Sequence, residues 1–178
     1  MAAEDVAAAA APEDAGRSPA ATILGLLGAA ILVVTVLVCA AIVVPRLFGV
    51  TPYTVSTGSM EPALPVGSLV YAQAVDPIDL APGEVVTFSS LRQGGAAVTH
   101  RVVANDPEAR QLTTQGDANT APDPDPVAYD RVRGKMTLGV PVLGYVAAGL
   151  SSGGGKLALL AVVAGGLALC FAADRLRR

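Results

Sequence analysis

Two uncharged apolar runs lie near the ends of this chain, and they constrain everything between them. The first, Ala20 to Val44, holds 25 residues without a charge. At about 1.5 Å per residue such a helix reaches roughly 37 Å, enough to cross a hydrocarbon core of about 30 Å with some tilt. A cleavable signal peptide is the competing reading. The segment ahead of the run argues against it, with Glu4, Asp5, Glu13 and Asp14 against Arg17. The run also exceeds the usual apolar length of about 7–15 residues. The second run, Leu157 to Ala173, has 17 residues, the short end of a spanning range of about 17–25. A buried helix is the alternative there. Arg175, Arg177 and Arg178 favour a span, because they form a basic stop just beyond it.

Positive flanks stay in the cytoplasm, so the tail places the C-terminus inside. Two spans then put the N-terminus inside as well and the intervening segment outside. The expected organisation is a disordered cytoplasmic tail over 1–19, a transmembrane helix over 20–44 and an extracytoplasmic domain over 45–155. A second transmembrane helix follows over 156–173, then a basic cytoplasmic tail over 174–178. Although 52% of all residues are hydrophobic, the two runs absorb much of that share, so the water-exposed domain is small. Its net surroundings give no reason for nucleic-acid binding, since the whole chain carries a formal charge of −3. Cys39 and Cys170 both fall in the runs, which leaves the middle domain without a disulfide or a cysteine-based metal site.

The middle domain reads as β structure. Short segments rich in Val, Thr and Tyr at Leu69–Val75, Glu84–Ser89, Val98–Ala104, Gln111–Thr114 and Arg131–Leu138 are separated by Pro, Gly and Asp. They predict one small, mostly antiparallel domain. Side chains alternate along a strand, so His100 shares a face with Val98 and Val102, while Thr99 and Arg101 point the other way. By the same alternation Arg131, Arg133 and Lys135 line one face. That stripe suits a solvated face, or contact with anionic lipid headgroups.

Chemistry begins at the Gly- and Pro-marked turn Thr51 to Pro62. Ser59 lies in it, 15 residues beyond the first run (59 − 44). A serine on a constrained turn can project its hydroxyl clear of the backbone, although most such turns are only turns. A serine needs a base to take its proton. His100 is the sole histidine, and the only lysines are Lys135 and Lys156. A third group should orient the imidazole. The loop from Gly116 to Pro126 offers Asp117, Asp123 and Asp125. A calcium loop of the EF-hand type lacks its glycine and glutamate at the required offsets.

Four motifs occur in order: Ser-Thr-Gly-Ser-Met-Glu-Pro from Ser56, Pro-Gly-Glu-Val-Val-Thr-Phe from Pro82, Thr-His-Arg-Val from Thr99 and Thr-Gln-Gly-Asp-Ala-Asn from Thr114. From about Val55 to Val140, together with the flanking runs, the chain resembles the type I signal peptidases. It is most similar to the branch of archaea, the endoplasmic reticulum and some Gram-positive bacteria. The resemblance implies a mostly β fold: a small antiparallel β catalytic domain of the signal-peptidase type flanked by two transmembrane helices. It implies Ser59 as nucleophile and His100 as base, where the typical bacterial branch has lysine. It implies Asp123 as the first candidate for the triad acid, with Asp117 in support. The family often pairs aspartates at the later site, whereas this chain has Pro122-Asp123, which leaves the assignment between the two open. Glu84 stands where the family usually has Asp.

The implied oxyanion donors are the Ser59 backbone N–H and the Thr57 hydroxyl. The implied activity is that of signal peptidase I: a membrane-bound serine endopeptidase that removes signal peptides through an acyl-enzyme, without metal or cofactor. The partners implied are preprotein signal peptides and the lipid bilayer, with the protein-export machinery as a further candidate. Small side chains one and three residues before the cut are expected with them. The alternative is a non-catalytic, membrane-tethered β domain with a degenerate site. A self-cleaving Ser–Lys protease of similar fold would need a lysine near position 100 and gives no reason for two spans.

Overall fold

A computed structural model describes residues 18–177. The expected tail over 1–19 lies outside these up to residue 17, as does Arg178. The described chain forms α1 (Pro19–Leu47), seven strands and two further helices. Pro19 opens α1, where a missing N–H costs nothing, and the Ser18 carbonyl accepts from Thr22 N at 3.1 Å. The helix ends before Gly49, whose φ of +74° an L-residue adopts only at a cost.

The chain divides into two compact units. In the first, residues of 18–35 pair with residues of 161–177, the far part of α3 (Gly153–Arg175). Small residues let these helices approach closely: a Cβ on Gly28 would fall 2.8 Å from both Cys170 Sγ and the Gly166 carbonyl oxygen. Outward-facing Ile23, Leu26, Val33 and Leu167 leave broad apolar surface uncovered. Both α1 and α3 are long and apolar enough to cross a membrane. α3 starts at Gly153, ahead of the expected limit, because the Gly-rich segment before Lys156 joins the helix.

The second unit, 36–160, is built on one antiparallel sheet. Its strands are β1 (Val50–Thr54), β2 (Leu69–Gln73), β3 (Val85–Ser90), β4 (Ala96–Asp106), β5 (Gln111–Gln115), β6 (Val127–Ala128) and β7 (Val132–Val140). The order across the sheet is β1-β2-β7-β3-β4-β5-β6. The five expected strands are all present. β1, β6 and the helix α2 (Leu143–Ser151) were not foreseen. Pro52 hides β1 from a reading of strand patterns, yet an edge strand tolerates Pro.

Alternation on β3 sends Val86 and Phe88 one way and Val85 the other, and a core forms on each side. Val86 and Phe88 pack with Leu80, Val102, Leu112, Val127 and Tyr129. Val85 packs with Val55, Met60, Leu64 and Val70. These cores bury about 1.5–3 kcal/mol of apolar transfer energy per large side chain. Thr87 and Thr99 oppose each other across β3 and β4 and share a hydroxyl contact of 2.8 Å.

The expected basic stripe does not form as one face. Arg131 belongs to a 3₁₀ turn (Tyr129–Arg131) rather than the strand. The β3–β7 register shifts between Thr87 and Phe88, so Arg133 lies at an irregularity. Arg133 Nε donates to Ser89 Oγ at 2.7 Å, and Lys135 pairs with Glu84.

Candidate active site

Ser59 sits in a 3₁₀ turn, Gly58–Met60, between two buried anchors. Val55 and Met60 enter the second core on either side of it. The turn is framed by Val55 N donating to the Ser68 carbonyl at 2.9 Å and Gly67 N to the Val55 carbonyl at 2.8 Å. Burial of the neighbours holds the backbone, while the Ser59 hydroxyl stays half-buried and reachable.

His100 lies on β4 opposite Val86, on the face of Val98 and Val102, as alternation requires. It is buried and meets the Phe88 ring edge-on, with centroids 6.2 Å apart. Its Nε2 is 3.1 Å from Ser59 Oγ, and its Nδ1 is 2.6 Å from Asp123 Oδ2. Asp123 Oδ2 also accepts the Thr114 hydroxyl at 2.7 Å. Ser59, His100 and Asp123 therefore form one hydrogen-bonded line, drawn from a turn, a strand and a loop.

The two aspartates left open by the sequence have different partners. Asp117 turns to Arg101, whose Nε and Nη2 reach its oxygens at 2.8 and 2.6 Å. Arg101 also donates from Nη1 to the Gly83 carbonyl at 2.7 Å. The Asp117 carboxylate raises the Arg101 pKa above its ordinary value, through hydrogen bonding first. Asp117 is thus engaged on the opposite face of β4, where alternation sends Arg101. The loop that carries both acids is tied to the serine turn: Ala118 N donates to the Ser59 carbonyl at 2.9 Å.

Thr57 Oγ1 lies 3.4 Å from Ser59 Oγ. Both line a cleft of about 230 Å³ that also includes Val55, Met60, Val98 and His100. Hydroxyl, imidazole and a second hydroxyl meet in one concave, solvent-reachable space. That arrangement suits nucleophilic attack with proton removal in place. Among the described residues no cluster of His, Cys, Asp and Glu could hold a metal ion.

Two residues of the motif Thr114 to Asn119 were given no role in the reading of the sequence. Thr114 is buried on the same face of β5 as Leu112, and Gly116, just past the end of the strand, is buried too. A polar residue and a glycine on an otherwise buried alternation were the available signal. A Cβ on Gly116 would fall 2.5 Å from the Ser59 carbonyl oxygen and 3.1 Å from His100 Nε2. Only a glycine leaves room for the serine turn and the imidazole to approach as they do.

Residues 28–114 match the family described as signal peptidase, peptidase S26. Ser59, Thr57 and His100 fall inside that match, and Asp117 and Asp123 lie beyond it. The chain is 38% identical over 96 residues to signal peptidase I W of Bacillus subtilis (strain 168), covering 52% of this chain and 50% of that protein. It thus spans about half the length of the curated relative it matches. With its motifs in order on an antiparallel β domain, the chain is similar over residues 28–114 to the signal peptidase family, peptidase S26, and over about half its length to a signal peptidase I.

Proposed function

We propose that this protein is a membrane-bound signal peptidase I that removes N-terminal signal peptides from exported preproteins. The observation that carries the reading is the unbroken line Asp123–His100–Ser59, with contacts of 2.6 and 3.1 Å. His100 Nε2 takes the Ser59 proton as Oγ attacks the scissile carbonyl, and returns it to the leaving amine. The acyl-enzyme is then hydrolysed by water, with His100 again as base. Asp123 holds the imidazole by Nδ1 and stabilises its charged form. The Ser59 backbone N–H and the Thr57 hydroxyl hold the oxyanion, each such donor contributing roughly 3–4 kcal/mol. The base is a histidine, as in the archaeal and endoplasmic-reticulum branch.

The catalytic domain lies outside the cytoplasm and both termini lie inside. Two long apolar helices and the basic residues Arg175 and Arg177 support this topology. Small side chains are preferred one and three residues before the cut. The degenerate, non-catalytic alternative is disfavoured by the three side chains being intact and in mutual contact.

The test is cleavage of a model preprotein by detergent-solubilised protein, wild type beside Ser59→Ala. Wild type should release the mature segment at its Ala-x-Ala site and Ser59→Ala should not. Equal cleavage by both would remove the serine mechanism. Efficient cleavage after Leu or Phe replaces those alanines would contradict the substrate class. Cysteine labelling in intact cells should find position 59 outside.

A further inference from the structure

Asn119 ends the fourth sequence motif and lines the cleft of Ser59, Thr57 and His100 from its exposed rim. Its backbone is engaged within the loop. Asn119 N donates to the Gly116 carbonyl at 2.9 Å, and its own carbonyl accepts from Gln115 Nε2 at 2.8 Å. Its side-chain amide makes no hydrogen bond to any described residue. A planar group with two N–H donors and an acceptor is therefore uncommitted at the rim of the cleft.

Gly116 shows where that amide lies. A Cβ there would fall 2.9 Å from Asn119 Nδ2, 3.1 Å from His100 Nε2 and 2.5 Å from the Ser59 carbonyl oxygen. All three polar atoms gather over one glycine, with no side chain to part them. The amide and imidazole nitrogens stand no farther apart than their two distances added together. One water bridges such a span, with a hydrogen bond of about 3 Å to each. The same Nε2 is the nitrogen that contacts Ser59 Oγ, at 3.1 Å.

We infer that Asn119 holds the water that hydrolyses the acyl-enzyme, beside His100 Nε2. The inference rests on the signal-peptidase reading of the same site. Once the amine has left with its proton, the imidazole is neutral and Nε2 can accept again. Asn119 Nδ2 donates to the water oxygen, and the water donates one O–H to Nε2. The remaining lone pair attacks the acyl carbon. The water's proton passes to Nε2, the bond from the acyl carbon to Oγ breaks, and the proton returns to Ser59 Oγ. The signal-peptide acid and the free serine result. In the first step the nucleophile is fixed by the protein's own backbone. In the second it is a mobile water, so a group that orients it matters most there.

The experiment uses full-length protein in detergent, a model preprotein and hydroxylamine as a competing nucleophile. The acyl-enzyme partitions between signal-peptide acid and hydroxamate. Mass spectrometry reads their ratio, whichever step limits turnover. Hydroxylamine is the stronger nucleophile and depends less on being held. Asn119→Ala should therefore raise the hydroxamate-to-acid ratio about three- to tenfold over wild type, as the loss of one neutral hydrogen bond allows. The side chain is exposed and bonds to no described residue, so the variant keeps the fold. A merely structural lesion that displaced His100 would slow both nucleophiles and leave the ratio near wild type. Gln115→Ala is the control. It removes the contact to the Asn119 carbonyl, loosening the loop, and should keep the wild-type ratio. A ratio in Asn119→Ala that stays at the wild-type value or falls, or an equal rise in Gln115→Ala, would overturn the assignment. Failure of wild type to cut the preprotein, or to form any hydroxamate, would instead bring down the acyl-enzyme reading on which it rests.

Discussion

Thr114 and Asp123 are joined twice: Asp123 N donates to the Thr114 carbonyl at 2.7 Å, and Thr114 Oγ1 donates to Asp123 Oδ2 at 2.7 Å. The second bond ends on the oxygen that faces His100, so a strand residue with no chemistry of its own aims the acid. Thr114→Val keeps the shape and removes the donor. A hydrogen bond to a charged group contributes about 1.5–3 kcal/mol, so kcat should fall by at least about tenfold with KM little changed. Thr114→Ser should recover most of it. Steady-state kinetics on a model preprotein check both.

Asp123→Asn and Asp117→Asn should separate by what they damage. Asp123→Asn replaces the charged partner of His100 Nδ1 with a neutral amide that can hold the wrong tautomer, so kcat should drop by about two to four orders of magnitude. Asp117→Asn breaks the paired contacts to Arg101, which fasten the acid-bearing loop to β4. It should lower stability by about 1 kcal/mol, since Arg101 is 37% exposed and screened, and reduce kcat less. Thermal unfolding beside kinetics distinguishes the two.

Gly116→Ala should impair chemistry more than folding. The added carbon would crowd the Ser59 carbonyl oxygen at 2.5 Å and His100 Nε2 at 3.1 Å. The backbone at 116 has no positive φ, so the damage is local crowding rather than strain. A large fall in kcat with near-normal unfolding is expected.

Glu84 makes stability depend on pH. Lys135, chiefly through a side-chain hydrogen bond, holds the Glu84 carboxyl below the usual carboxylate range. Its contribution is therefore present above the unfolded carboxyl pKa and is lost as pH falls through the folded value. The longer side chain also reaches Ala81 N at 3.1 Å, a second contact for the residue that departs from the family's Asp. Glu84→Gln should be less stable than wild type at pH 7, and the difference should close in acid, by thermal unfolding at both.

Much of this was legible in the sequence. Val- and Thr-rich runs between Pro, Gly and Asp marked five of the seven strands, because a two-residue period and turn residues are local properties. The face of His100 followed from the same period. What lay beyond local pattern was missed. β6 has two residues, too few to show a period. The stripe of Arg131, Arg133 and Lys135 assumed an unbroken strand. Its first member is in a turn, and Gly134, where a Cβ would fall 2.5 Å from the Gln73 carbonyl, sits beside the register shift. The choice between Asp117 and Asp123 depended on which acid Arg101 draws off, a contact across the fold that spacing does not encode.

The central claim is that Ser59 and His100 act as one unit. The most direct measurement is preprotein cleavage by Ser59→Ala, His100→Ala and the double variant, each shown to be folded by its unfolding transition. Members of such a unit are strongly non-additive. Each single variant should abolish detectable cleavage, and the double variant should be scarcely worse than either. Substantial cleavage by folded His100→Ala would contradict the account, because the 3.1 Å contact to Ser59 Oγ would then not carry the proton.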